Sequence, residues 1–212
     1  MTLARRLGTP LPMPEPAALP LVLASGSPRR RELLERAGVR FEVRIPDVPE
    51  EREPREAPES FALRLALAKA LAVARRLGPA PTRVVLAADT IVALGDDVLG
   101  KPRDEREALS HLRRLAGRRH RVLTAVAVVD SRRLVARHAL VESGVTLRAA
   151  DAEELAAYVE TGEPMDKAGA YAAQGQGRRL ISRIEGSETN VIGLPLDESL
   201  ALLRAAGVEP SA

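Results

Sequence analysis

The chain has 212 residues, room for one domain at roughly 100–200 residues each and for a real core, which must be built from Leu, Val and Ala because aromatics are only 2%. Its net charge of +3 comes from 32 basic residues interleaved with 29 acidic ones, the pattern of a solvated, ion-paired surface, so no nucleic-acid partner is expected. Cysteine is absent, which excludes a disulfide framework and a Cys-based zinc site or nucleophile, and no apolar run approaches the ~20 residues of a membrane-spanning helix.

Residues 1–18 are broken by Pro10, Pro12, Pro14 and Pro16 and lack the unbroken apolar core of a signal peptide. They read as a flexible leader to a single domain over 19–212, with the cytoplasm as default compartment. Short β-rich runs then alternate with longer helical ones, the pattern of an α/β domain. A buried strand is predicted over 19–24, a helix over 28–37 stopped by Gly38, and a strand over 41–45. An acidic, proline-punctuated loop follows over 46–58. The helix predicted over 59–77 is apolar around nearly its whole circumference, so it should be largely buried. Next come an apolar strand over 84–88, a hairpin of 91–94 with 98–99, and a helix over 104–116. Two long antiparallel strands are predicted over 120–129 and 134–147, and a helix over 151–160 with Asp151 as its N-cap. A glycine-rich irregular segment over 161–177, a strand over 179–184 and a helix over 196–206 complete the chain.

Lysine occurs at only three positions, Lys69, Lys101 and Lys167, with arginine everywhere else. On a solvated face the two are nearly equivalent; where a compact, pivoting ammonium is needed they are not. Each lysine lies in a distinctive setting. Lys69 sits on the apolar helix, where a buried ammonium needs a partner. Lys101 stands between Gly100 and Pro102, which leads it back toward Asp89. Lys167 lies in the glycine-rich segment with Asp166 and Gln174, whose amide both donates and accepts, as reading a base edge requires. Asp89 follows a strand with no other polar group, at the carboxyl end where α/β sheets gather ligands. A carboxylate buried there needs a metal or a lysine. Ser25-Gly26-Ser27-Pro28 forms a small-residue turn into a helix, suited to an anion, with Arg29 and Arg30 placed where the helix dipole alone would disfavour cations. Together these features describe a polyphosphate site. Asp47, Glu50 and Glu51 are candidate partners of Asp89 for Mg²⁺ or Mn²⁺, which take oxygen ligands. His111, His120 and His138 have no metal spacing, and Walker A and Rossmann glycine patterns are absent.

In chain order, Ser25-Gly26-Ser27-Pro28-Arg29-Arg30, Ala88-Asp89-Thr90, Gly100-Lys101-Pro102, Asp166-Lys167-Ala168-Gly169-Ala170-Tyr171 and Val191-Ile192-Gly193-Leu194-Pro195-Leu196 resemble the motifs of the Maf (septum formation) family of nucleoside triphosphate pyrophosphatases, from about residue 21 to 206. The resemblance implies an elongated mixed sheet with flanking helices, two lobes around a cleft as in inosine triphosphate pyrophosphatases, a homodimer and a divalent cation. It also implies hydrolysis of a nucleoside triphosphate to monophosphate and pyrophosphate, in nucleotide sanitation or the restraint of cell division. By motif, Asp89 would be the general base, and Ser25, Arg30, Lys69, Lys101 and Lys167 would bind the phosphates. Glu50 with Asp89 would hold the metal. Arg29, Thr90 and Gln174 resemble the branch acting on dTTP and UTP rather than the one acting on 7-methyl-GTP. Ser187-Glu188-Thr189-Asn190 departs from the family pattern, which has aromatic residues before the Asn. A non-catalytic nucleotide-binding regulator of septum formation would keep the same cradle and lysines.

Overall fold

The computed structural model describes residues 20–209, so the predicted leader lies outside the described residues. The elements run β1 (Leu21–Leu23), α1 (Pro28–Arg36), β2 (Phe41–Val43), α2 (Pro58–Leu77), β3 (Val84–Leu94), β4 (Asp97–Leu99), α3 (Glu105–Leu115), β5 (Arg119–Asp130), β6 (Ala136–Leu147) and α4 (Ala152–Glu160). Three 3-10 turns follow (Glu163–Asp166, Ala168–Ala170, Gly175–Leu180), then β7 (Ile181–Glu185), α5 (Glu188–Ile192) and α6 (Leu196–Ala205). The strands form one seven-stranded sheet in the order β2-β1-β3-β5-β6-β7, with β4 folded back on β3. β1 pairs in parallel with β2 and β3, and the remaining pairings are antiparallel.

Alternation of side chains along the strands sorts the core onto two faces. Val85, Ala87 and Ile91 of β3, with Leu123, Ala125 and Ala127 of β5, pack under Phe61, Leu65, Ala70 and Val73 of α2. Leu86 and Ala88, with Val126 and Val128, face Leu33 and Leu34 of α1 and Leu203 of α6. Both faces are covered, which is why β3 reads as a continuous apolar run. At the other end of the sheet Val122 and Val145 join Leu112 and Leu115 of α3, Leu155 and Tyr158 of α4, and Leu180 in a third cluster. Helix starts follow local chemistry: Ser27, Asp104 and Asp151 each cap a helix by accepting from a backbone N–H of its first turn.

The structure alters several sequence expectations. β3 runs unbroken from Val84 to Leu94, so Asp89 lies inside a strand and not beyond its end. The antiparallel partner β5 continues past it, with Asp89 opposite Ala125, and backbone pairing carries the strand through the carboxylate. The parallel neighbour does stop: β1's last partnered residue is Leu23, opposite Leu86. Asp89 therefore stands beyond the carboxyl end of β1, and the open space lies there. β6 begins at Ala136, because Asp130 accepts the N–H groups of Arg132 and Arg133 in a turn and Leu134 takes φ 54°. β2 ends at Val43, although Arg44 N–H still donates to the Leu23 carbonyl. α2 buries only one face. Leu63, Leu67 and Leu71 are half-buried along an apolar groove bordered by Val48 and Arg75. α5 was not expected; its N-cap Ser187 and the buried Asn190, which donates to Ser143 Oγ and to the Val122 carbonyl, give residues 187–190 a structural role without aromatics.

Candidate active site

A cavity of about 680 Å³ opens at the carboxyl end of β1. Its wall is formed by residues 24–30, Glu50 from the acidic loop, Lys69 on α2, Asp89 and Thr90 on β3, Lys101 after β4, and Asp166, Lys167 and Gln174 from the glycine-rich segment. The residues that the family motifs assign to the site thus all border one space. Asp47 and Glu51 do not line it; both are exposed, and Glu51 offers only its carbonyl, to Arg64. Five cationic side chains face the cavity against three carboxylates, an excess suited to a polyanion.

Lys69 and Asp89 form its floor. The Lys69 ammonium donates to Asp89 Oδ1 at 2.6 Å, and both side chains are only 9% exposed. Glu50 Oε1 lies 2.5 Å from the same nitrogen. Three turns of apolar helix carry Lys69 inward, and the two carboxylates supply the partners a buried ammonium requires. Burial pushes the Asp89 carboxyl above its ordinary value, and the Lys69 and Arg30 charges only partly offset it. At Glu50 burial also pulls upward, but the hydrogen bond and charge of Lys69, with Lys101 and Arg30, outweigh it and leave the carboxyl below its ordinary value. The two carboxyls thus differ in the direction that separates a proton acceptor from a permanent anion. Lys101 is more open, 61% exposed, with its ammonium 3.9 Å from Glu50 Oε2.

Arg30 is half-buried and pinned on three sides. Its Nε donates to the Gly193 carbonyl at 2.8 Å, Nη1 to Ser25 Oγ at 3.1 Å and Nη2 to Thr90 Oγ1 at 3.1 Å. Thr90 in turn meets Thr124 Oγ1 at 3.0 Å, and Thr124 donates to the Asn190 carbonyl. Arg30 therefore ties α1, the end of β1, β3 and the end of α5 together while its guanidinium lines the cavity. Burial lowers its pKa, opposed by Asp89. The sequence marked the cation and its hydroxyl partners Ser25 and Thr90 as site residues, but not the Gly193 carbonyl or Thr124 behind Thr90.

At the opposite rim, Arg29 Nη1 contacts Asp166 Oδ2 at 3.1 Å. Lys167 donates to Asp166 Oδ1 at 2.5 Å and to the Glu163 carbonyl at 2.6 Å. This rim is tied to the Lys101 turn, since Gly169 N–H donates to the Gly100 carbonyl. Gly169 has φ 69°, and a Cβ there would meet Val92 at 3.0 Å, so the approach depends on glycine. Among the described residues no group of three or more His, Cys, Asp or Glu converges as a metal cage. The two carboxylates gathered at Lys69 instead resemble a Mg²⁺-type set, in which one or two protein carboxylates act together with phosphate oxygens.

The family model described as Maf-like protein matches residues 20–206. A dTTP/UTP pyrophosphatase of Burkholderia pseudomallei is 51% identical over 210 residues, covering 92% of this chain and 99% of its own length. Proteins of the same description from Myxococcus xanthus and Geobacter sulfurreducens are 51% and 49% identical, covering 89% and 88% of this chain and 93% and 96% of their own.

Proposed function

The chain belongs to the Maf-like protein family, and on that premise we propose that it hydrolyses dTTP and UTP to the monophosphate and pyrophosphate. The observation that carries this reading is the Glu50–Lys69–Asp89 cluster on the floor of a cavity whose other walls present Arg30, Lys101 and Lys167. Water attacks the α-phosphorus, its proton passes to Asp89 Oδ, and the bond from the α-phosphorus to the bridging oxygen breaks as pyrophosphate leaves. Asp89 suits the task because burial raises its proton affinity toward that of a useful base. Ser25, Arg30, Lys69, Lys101 and Lys167 bind and offset charge on the phosphates, and Arg30 and Lys69 are held in place within the protein by their own hydrogen bonds. Glu50 and Asp89 would hold a divalent cation, Mg²⁺ or Mn²⁺, which when bound neutralises charge on the triphosphate. Arg29, Thr90 and Gln174 line the same cavity and are assigned the choice of base. A site that hydrogen-bonds a base edge rejects analogues by ~10⁴ or more, because a wrong base leaves buried polar groups unpaired.

The test is to incubate the purified protein and Mg²⁺ or Mn²⁺ with dTTP, UTP, CTP, dATP, GTP and 7-methyl-GTP, and to measure pyrophosphate. Release from dTTP and UTP, with the matching monophosphates, is the expected result. Silence across the whole set would end the pyrophosphatase reading, and preference for 7-methyl-GTP would move the chain to the other branch.

The same proposal places the enzyme in the cytoplasm, where its substrates are held, and as a homodimer. No described helix is long and apolar enough to cross a membrane. The Leu63, Leu67 and Leu71 stripe beside Val48 supports the pairing, since it is an apolar face left half-covered within one chain. Leu67→Glu should convert a dimeric mass in light scattering to a monomeric one, with melting shifted little because the site is not in the closed core. An unchanged dimer would remove this face as the interface.

A further inference from the structure

The cavity wall that carries Gln174 is held from behind by a residue that does not reach the cavity. Glu163 opens the 3-10 turn after α4, and its carboxylate accepts the Tyr158 hydroxyl at 2.9 Å and the backbone N–H groups of Gln176 at 3.0 Å and Gly177 at 2.8 Å. Tyr158 is fully buried, and its oxygen also accepts the Ala172 N–H at 3.2 Å. Two glycines make this approach possible. Gly175 has φ 67°, and a Cβ on it would come within 2.6 Å of Glu163 Oε2; a Cβ on Gly177 would meet the Ala172 nitrogen at 2.7 Å. The turn that begins directly after Gln174 is therefore laced by its backbone to an acid–phenol pair. The Glu163 carbonyl separately receives the Lys167 ammonium at 2.6 Å. One residue thus anchors the base-facing and the phosphate-facing ends of this rim.

Resting on the dTTP/UTP reading above, we propose that Glu163 is a positioning residue for pyrimidine selection: it fixes the turn that presents Gln174 to the base. Donors and acceptors that read a base edge must be held to within a fraction of an ångström, and a glycine-rich turn does not hold itself. A carboxylate meets the need because it accepts at both oxygens at once, with charge-assisted bonds. A Gln at this position supplies only one accepting oxygen, so part of the lacing is lost while size is kept.

The experiment compares Glu163→Gln, Gln174→Ala and the double variant in steady-state kinetics with dTTP, UTP, CTP and GTP. Glu163→Gln should raise KM for dTTP and UTP about tenfold, the scale of one lost bond to a charged group, while kcat stays within about twofold. The ratio of kcat/KM for dTTP over CTP should shrink by a similar factor. Adding Gln174→Ala should then cost little more, because both changes act through one contact. A kcat loss at constant KM, or an unchanged dTTP-to-CTP ratio, would overturn the proposal. Should Glu163→Gln fail to melt cooperatively, Tyr158→Phe keeps the carboxylate and its two backbone partners and reads the same ratio; a narrowing of about threefold supports the proposal, and no narrowing overturns it. A wild-type protein without preference for dTTP and UTP would instead remove the pyrimidine reading on which this inference rests, so the two failures are distinguishable.

Discussion

Asp89→Asn is expected to lower kcat for dTTP by about 10³-fold, within the 10² to 10⁴ range of a positioned general base, without weakening dTTP binding measured in the absence of divalent metal. The substitution keeps shape and one hydrogen-bond acceptor toward Lys69 while removing the proton acceptor and a negative charge from a site built for a polyanion. Isothermal titration with the inactive variant and single-turnover measurement of pyrophosphate separate the two effects. The pH profile supplies a second check. In the wild type, burial raises Asp89 and Lys69 only partly opposes it, so the acid limb of kcat/KM should lie above the ordinary carboxylate value of about 3.9. Activity is lost as pH falls through that raised value, because the base takes up its proton. Glu50 cannot produce this limb: Lys69, Lys101 and Arg30 outweigh its burial and hold it below its ordinary value. The residual activity of Asp89→Asn should show no limb there. Full turnover in this variant would remove Asp89 as the general base.

The legible part of this site is the part that physics makes expensive. An aspartate within an apolar run and a lysine on an apolar helix each demand a partner, and they meet at 2.6 Å. Near Lys167, Gly169 marks a close approach, since a Cβ there would meet Val92 at 3.0 Å. What escaped the sequence has no such cost attached. The acidic loop offers Asp47, Glu50 and Glu51 with no periodicity to say which turns inward; only the path from β2 to α2 decides for Glu50. Asp89 looked like the end of a strand because polarity usually ends one, whereas β5 carries the pairing past it. Arg30 was legible as a phosphate cation but not as the joint between four elements, since its anchors are one backbone carbonyl, at Gly193, and the hydroxyls of Ser25 and Thr90. Glu163 lay unremarked in the glycine-rich segment over 161–177, because two of its partners are backbone N–H groups that any sequence possesses.

Lys69→Met should damage activity and stability together, and the pH dependence of the second effect tests the electrostatic account. Methionine fills a similar channel but leaves the Asp89 carboxylate, 9% exposed, with no ammonium beside it. Breaking a buried pair on one side costs about 3 kcal/mol at neutral pH, which for a chain of this size corresponds to a melting-temperature loss of about 6–12 °C. Glu50 contributes less, because its side chain is 48% exposed and can turn to water. Asp89 is already raised by burial against the pull of Lys69, so without the lysine it rises further. Below the unfolded value of about 3.9 both states hold the proton, and the variant loses nothing by this route. As pH climbs from there to the raised folded value, the unfolded chain releases its proton while the folded one keeps it, and the penalty grows by about 1.4 kcal/mol per unit. Because wild-type Asp89 is itself raised, the two proteins run parallel at first, and the melting deficit relative to wild type should widen only as pH passes the wild-type folded value, levelling off above the higher value of the variant. Catalysis should fall by 10² or more, on the scale of losing one preorganised charge at a transition state that spreads negative charge over phosphate. Raising the pH should recover a fraction of this loss, because ionised Asp89 returns, but not all of it, because the phosphate contact does not. A deficit flat across pH would mean that Lys69 matters through packing alone, and that Asp89 finds its compensation in Arg30 across the cavity.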